Sequence, residues 1–302
     1  MREYLSSIFD LQNLINILSK DNLFTRSIRS RFINFLFKYR HKPFQKIKKN
    51  YLNKKYVDIF YDINDYSHVS QVIDPDYEKN NFKYYLNTIK KSTIFLDIGA
   101  NLGVHSLFVA KYCNPHLVIA CEPNPKCNYL IKKSINLNYK LLNKIKVISK
   151  IVTASNNNIL TLFKNNSGSG STTGDFGKDF IEKYNQEKII SDVIKPNELI
   201  NNIIKKNKKK EIFIKLDIQG SEYNFIENIK NILVEKNIIK CIIFEVNKKN
   251  ISKLKFLINN LNKKYYLTDA NSAYIDNKNL SKFLKKNLVL NLKKNFKNIS
   301  II

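Results

Sequence analysis

The sequence is poor in the residues that punctuate a chain. Tryptophan is absent, methionine occurs once, and 302 residues hold only 7 glycines, 6 prolines and 4 cysteines. Three of those cysteines, Cys113, Cys121 and Cys127, lie close to His116 and offer a possible ligand set. Closed zinc sites pair their ligands across short knuckles, whereas Cys121 sits inside the apolar run LVIAC and Cys127 falls on the helix that follows. No metal is expected, and free, reduced thiols fit a cytoplasmic protein. No apolar run approaches the roughly 18 residues of a membrane span. MREYLSSIFDLQ, with early acids and no unbroken apolar core, predicts no secretory signal, so cytoplasmic localisation is expected. Acidic residues are also scarce: 25 Asp and Glu stand against 52 Lys and Arg, a net charge of +27. Such a charge attracts phosphates, nucleic acid or an anionic membrane surface. The lysines, however, are spread along the chain with abundant asparagine and isoleucine rather than gathered in a stripe, so no specific nucleic-acid partner is expected. No internal repeat is present.

What is present is concentrated in residues 94–122, IFLDIGANLGVHSLFVAKYCNPHLVIACE. IFLDI is a short β-branched and aromatic run that stops at Gly99; Leu102, Leu107, Phe108 and Ala110 then recur at helical spacing, and LVIAC repeats the strand signal. This is a βαβ unit. The turn after its first strand needs glycine wherever backbone must approach a ligand, and Gly99 and Gly103 meet that need. Glu122, at the tip of the second strand, is placed to accept hydrogen bonds from ribose hydroxyls. The turn reads D-x-G-x-N-x-G. It lacks the middle glycine that admits a dinucleotide pyrophosphate, which disfavours NAD.

This turn resembles that of the class I S-adenosylmethionine-dependent methyltransferases. The resemblance narrows further along the chain: FLDIGANLGVHSLFVA followed by EPNP, then IKLDIQGSE and IIFEVN, is similar to the FkbM-type methyltransferase family, mostly O-methyltransferases of sugars and natural products. It implies a doubly wound α/β fold, with a mostly parallel seven-stranded sheet closed by an antiparallel hairpin. It also implies S-adenosylmethionine as cofactor, with Asp97 and Gly99 at its amino-acid end, Asn101 and Gly103 in the same turn, Glu122 on the ribose and Val152 beside the adenine. Gln219 departs from the family, which often has Glu there.

Two units are expected, an N-terminal helical or mixed extension over 1–90 and the methyltransferase domain over 91–302. Apolar spacing between residues 3 and 40 predicts two amphipathic helices, the second rich in arginine. Residues 24–40 can dock on an anionic membrane or a partner; a cap on the domain, charged face in water, is the preferred reading. KKYVDIFYDIND predicts a strand and turn, NFKYYLNTI a helix, and His68 a surface position. Asn124 and Pro125 signal a helix start. NNSGSGSTTGDFG, residues 165–177, holds four of the seven glycines and predicts a mobile loop, either closing over substrate or a plain surface connection; the resemblance, in which a serine near Ser171 recurs, favours the substrate role. Lacking G-K-[ST], it is no Walker loop. YYLTD, SAYID and NLVLNL predict closing strands.

In an open α/β sheet, ligands bind beyond the carboxyl ends of the strands where strand order reverses. Asp97, Asp217 and Glu245 end three candidate strands there, and Glu222 opens the helix after Gly220. Methyl transfer to a hydroxyl needs the acceptor oxygen aligned and a base near it. Asp217 is the expected base, with Glu222 and Glu245 orienting substrate or supporting it. The alternatives are an NAD-binding Rossmann enzyme and a non-catalytic basic module for nucleic acid or a membrane surface. The oligomeric state is not legible.

Overall fold

The computed structural model describes residues 44–74, 76–165, 168–173, 187–246, 251–283 and 286–293. The helices expected between residues 3 and 40, with the segment 24–40, lie outside the described residues. The described part of the extension opens with a hairpin, β1 (Phe44–Leu52) and β2 (Lys55–Asp62), paired antiparallel. Asn53 and Lys54 both turn with positive φ, 43° and 62°, as a tight hairpin requires. Two helices follow, α1 (Tyr66–Ile73) and α2 (Lys79–Thr88). Asp65 caps α1 by accepting from the Ser67 and His68 amides. His68 is fully buried rather than at the surface, because it shares the inward face of α1 with Val69 and Val72.

The main sheet collects β3 (Thr93–Ile98), β4 (Leu117–Cys121), β5 (Ile145–Ile148), β10 (Glu211–Leu216), β11 (Ile239–Glu245), β12 (Tyr265–Asp269) and β13 (Asn287–Leu292). Their order is β12-β13-β11-β10-β3-β4-β5, all parallel except β13, which runs antiparallel to both neighbours. SAYID adds only an isolated bridge, Tyr274 to Thr268. Strand order reverses between β3 and β10, since the chain moves outward through β4 and β5 before returning to β10 and β11. The helices are α3 (Val104–Tyr112), α4 (Pro125–Leu137), α5 (Pro196–Lys206), α6 (Glu222–Asn228), α7 (Lys230–Glu235) and α8 (Ile251–Leu261). Asn124 caps α4 through the Lys126 amide, and Pro125 holds its first position.

Strand alternation divides the core in two. Ile94, Leu96, Ile98, Ile212, Ile214 and Leu216 face one side, where Leu199, Phe225 and Leu257 cover them. Phe95 and Phe213 face the other, against α2, α3 and the β1–β2 hairpin. The hairpin is bound to α4 by polar contacts as well: Phe60 N donates to Ser134 Oγ at 2.8 Å, and Asn138 Nδ2 to Asp58 O at 2.7 Å.

Between β5 and β10 the chain forms a second sheet of β6 (Ile151–Val152), β7 (Ile159–Asn165), β8 (Gly168–Thr173) and β9 (Glu187–Ile194), in the order β6-β9-β7-β8. The glycine- and serine-rich stretch expected as a loop is therefore strand β8 over residues 168–173, packed across α1; residues 174–177 lie outside the described residues. Its order comes from backbone pairing with β7, which composition does not reveal.

Candidate active site

The glycine turn sits where strand order reverses, at the carboxyl end of β3. Gly99 and Ala100 donate their amides to Cys121 O at 3.0 and 3.1 Å, tying the turn to β4. Gly99 has φ +77°, and a Cβ there would lie 2.0 Å from Asp217 O, so the ends of β3 and β10 meet as closely as backbone allows. Gly99→Ala is expected to destabilise the domain by about 2–4 kcal/mol through strain and overlap together. Denaturant unfolding measures it, and a loss under about 1 kcal/mol would show that the strand ends part easily. Asn101, in place of the middle glycine, takes φ 51°, a left-handed conformation that asparagine tolerates. Gly103, at φ +71°, packs against Ile131 and opens α3, whose first turn has no side-chain cap.

Glu122 follows β4 and is 8% exposed. Its Oε2 accepts from Asn101 N at 2.8 Å and its Oε1 from Asn124 N at 2.9 Å. Burial pushes this carboxyl up to about 7, against the pull of those two amides.

The residue that organises the site is Lys215, which the sequence reading passed over. It is the register partner of Asp97 on β10 and β3, and both side chains leave the sheet on the same face. Its Nζ lies 3.4 Å from Asp97 Oδ1, 3.4 Å from Asp217 Oδ2 and 3.2 Å from Gly99 O. Burial alone would lower the lysine; Asp97, Asp217 and Glu78 outweigh it and hold the ammonium above the usual lysine range. Asp97 is fully buried, and its Oδ2 accepts from Ser106 Oγ at 2.7 Å. Its Oδ1 has the Lys215 charge beside it but, among the described residues, no hydrogen bond. A signal was available. Phe213 and Lys215 alternate with Ile212, Ile214 and Leu216, and a lysine in a run buried on both faces needs a carboxylate beside it.

Asp217 is about one-third exposed, its side chain at 34%. Gln219 Nε2 donates to its Oδ1 at 3.0 Å, a contact that a glutamate at that position could not donate. Gln219 and Gly220 turn with φ 53° and 99°, and Glu222 Oε1 accepts from the Ile218 and Gly220 amides at 3.1 and 3.2 Å. Glu222 thus braces the turn from below, 4% exposed. Glu245 lies one place beyond the Leu216–Phe244 register pair, beside Asp217 on the next strand. Val152 is buried in β6, and Ser171 lies in β8.

A second group that sequence reasoning missed comes from the extension. Glu78, before α2, accepts from Asn81 Nδ2 at 2.7 Å, and the same oxygen is 3.0 Å from His105 Nε2. His105 Nδ1 meets Tyr85 OH at 3.1 Å. Burial would raise the Glu78 carboxyl, yet His105 and Lys215 bring it down to about 2. Burial pushes Tyr77 up, with further upward pushes from the carboxylates of Glu78, Asp217 and Asp97, and its ring centroid lies 6.1 Å from that of His105. Among the described residues no group of three His, Cys, Asp or Glu side chains gathers as a metal set, and no helix is long and apolar enough to cross a membrane.

Seven strands in this order, with one antiparallel member and a glycine turn at the reversal, define the class I methyltransferase fold. The match to the Methyltransferase FkbM domain spans residues 97–272, more than half of the chain, and the protein belongs to that family. Three solved structures illustrate its likenesses. An FkbM methyltransferase from Methylobacillus flagellatus KT is 15% identical with a TM-score of 0.43, covering 70% of this chain and 47% of its own. A dimethyladenosine transferase from Plasmodium falciparum is 13% identical, TM-score 0.37, covering 72% and 61%. An rRNA methylase from Streptococcus thermophilus is 10% identical, TM-score 0.37, covering 75% and 95%. The chain thus spans about half the length of the first of these and under two thirds of the second. No curated protein matches it.

Proposed function

We propose that the chain transfers a methyl group from S-adenosylmethionine to a hydroxyl of a sugar, a glycan precursor or a similar hydroxylated metabolite. One observation carries the reading: the glycine turn, Glu122 and Asp217 meet at the carboxyl ends of adjacent strands, with Lys215 tying two of these elements together. The residues present fit the cofactor. Among the described residues Asp97 Oδ1 is buried without a hydrogen bond, and each Glu122 oxygen keeps a lone pair for a ribose hydroxyl. When bound, S-adenosylmethionine supplies an electrophilic methyl on a sulfonium.

In this reading Glu122 holds the ribose, Asp97, Gly99, Asn101 and Gly103 border the amino-acid end, and Val152 lines the adenine side. Asp217 receives the proton of the acceptor hydroxyl. Glu222 acts through the turn it braces, Glu245 orients the acceptor, and Ser171 belongs to the substrate side. Lys215 holds Asp97 and Asp217 apart as two carboxylates sharing one cation.

The test is calorimetric titration with S-adenosylmethionine and S-adenosylhomocysteine beside NAD. Because Glu122 is raised to about 7 in the free protein and donors to a carboxylate favour its ionised form, cofactor affinity should rise with pH and level off above 7. Below that, it should fall by up to about tenfold per unit as the carboxyl takes its proton before the ribose can donate. Glu122→Gln should bind weakly throughout and show a flat profile. Binding of NAD with no heat from either methionine-derived ligand would defeat the reading.

A further inference from the structure

We infer that the outward face of the β1–β2 hairpin, continued by the exposed stripe of α4, is a docking surface for an anionic lipid bilayer. The inference is independent of the methyl-transfer reading of the site.

Lysines that are spread along the sequence are gathered here by the fold. On β1, Phe44, Lys46 and Lys48 are exposed and alternate with the buried Ile47 and Lys49, so they share the solvent face of the hairpin. Lys46 pairs in register with Phe60, and Asn50 with Tyr56; paired residues of an antiparallel ladder project to one side, so both rings join that face. On α4, Lys126, Tyr129 and Lys133 recur at helical spacing. Ring contacts join the two elements. The Tyr129 centroid lies 6.1 Å from that of Phe44 and 6.5 Å from that of Phe60, and Phe44 lies 6.2 Å from Phe60. The face continues to the end of α3, where Tyr112 OH donates to Tyr56 O at 2.6 Å.

Charge on this face is almost all of one sign. β1, α4 and the single turn Tyr139–Leu141 contain no acid. The two acids of β2 are Asp62, buried and paired with Lys126, and Asp58, the register partner of Lys48. Large rings stay open to solvent among the lysines: Phe44 is 39% exposed, Tyr129 46% and Tyr139 67%. Each has an ammonium over it, Lys126 at 6.0 Å from the Phe44 centroid, Lys133 at 5.5 Å from Tyr129 and Lys140 at 5.9 Å from Tyr139. Rings mixed with lysines suit a bilayer interface, the rings at headgroup level and the ammonium groups on anionic lipid. A single-stranded nucleic acid would use the same charges but needs open ring faces for its bases to stack on, and here ammonium groups stand over them. Like charge disfavours two other covers, a second copy of a chain of net charge +27 and the chain's own residues 24–40, which carry Arg26, Arg29, Arg31, Lys38 and Arg40. That segment ends just before Phe44 and has, in sequence, the apolar spacing and basic flank of an interfacial helix, so it adds to the same attraction.

The test uses the full chain with vesicles of phosphatidylcholine alone and of phosphatidylcholine holding about one-third phosphatidylglycerol. Flotation should show binding to the anionic vesicles only, falling steeply as salt is added. Because the chain has no tryptophan, Tyr129→Trp sets a single reporter on the face, and its emission should move to shorter wavelength when anionic vesicles bind. Lys46→Gln, Lys48→Gln and Lys133→Gln together should weaken vesicle binding by about a hundredfold, at about fivefold per lysine, with the melting temperature unchanged. The same change at Lys205, Lys206 and Lys208, exposed around the end of α5 on the other side of the sheet, should weaken it by less than about threefold. The inference is overturned if the unmodified chain binds no vesicles, if the two triple variants lose equally, or if the first keeps its affinity. An unshifted reporter on bound protein overturns it too, as does a single-stranded oligonucleotide held more tightly than the vesicles through the same three lysines.

Discussion

Asp217→Asn should leave S-adenosylmethionine affinity nearly unchanged while slowing methyl transfer by about 10² to 10⁴, the range expected when general-base help is removed. The structure sharpens the expectation. Asp217 is one-third exposed at the end of β10, whereas Asp97 is fully buried and in this reading serves the cofactor, so of the two acids on Lys215 Asp217 is the one open to an acceptor. An amide at position 217 can still accept from either Lys215 or Gln219 through its one oxygen, and the fold should survive. Melting temperature, cofactor affinity and single-turnover rate measured on one preparation separate the outcomes. Unchanged turnover with a lowered melting temperature would make Asp217 a structural partner of Lys215 and nothing more.

Lys215→Met should be the most destabilising single change in the site. It strands Asp97, fully buried and without a hydrogen bond on Oδ1, beside an apolar side chain. Removing one member of a buried ion pair costs about 3–5 kcal/mol, mostly from the charge left behind, whereas replacing both members can be nearly neutral. The double variant Lys215→Met with Asp97→Asn should therefore recover at least half of the loss. Urea unfolding of the two single variants and the double gives the coupling directly. A Lys215→Met protein within about 1 kcal/mol of the parent would mean that water or backbone, not the lysine, balances Asp97.

The cofactor half of the site was legible because its chemistry is local. Gly99, Gly103 and Glu122 fall within one βαβ unit, where turn, helix start and strand tip follow each other in sequence. The strands β10 and β11 were legible for the same reason, as apolar runs ending in acids. What escaped depends on partners distant in sequence. Lys215 looks like one of many lysines until β10 pairs with β3 and sets it beside Asp97. Glu78, just before α2, and His105, in α3, are brought together by packing of α2 on α3. His68 stands in a polar-looking stretch, yet α1 turns it inward to within 3.7 Å of Cys127 Sγ and 3.8 Å of Asp65 Oδ2. β1 was missed because FQKIKKNYL alternates lysine with only a thin apolar stripe, and its pairing with β2 supplies the order.

The contact between Lys215 Nζ and Gly99 O joins residues 116 apart in sequence, and that separation bears on how the molecule is assembled. The unit from β3 to β5 can close on itself early, since its strands are neighbours along the chain, whereas β10 must dock across the whole second sheet. Closing a longer loop adds only about 0.6 kcal/mol per doubling, but contacts of large sequence separation slow the search for the folded state. Until β10 arrives, the acid at position 97 has no counter-ion, so the apolar walls around it cannot close without desolvating a lone charge. On that argument the half that would carry the nucleotide should stay open until the half that would carry the base arrives.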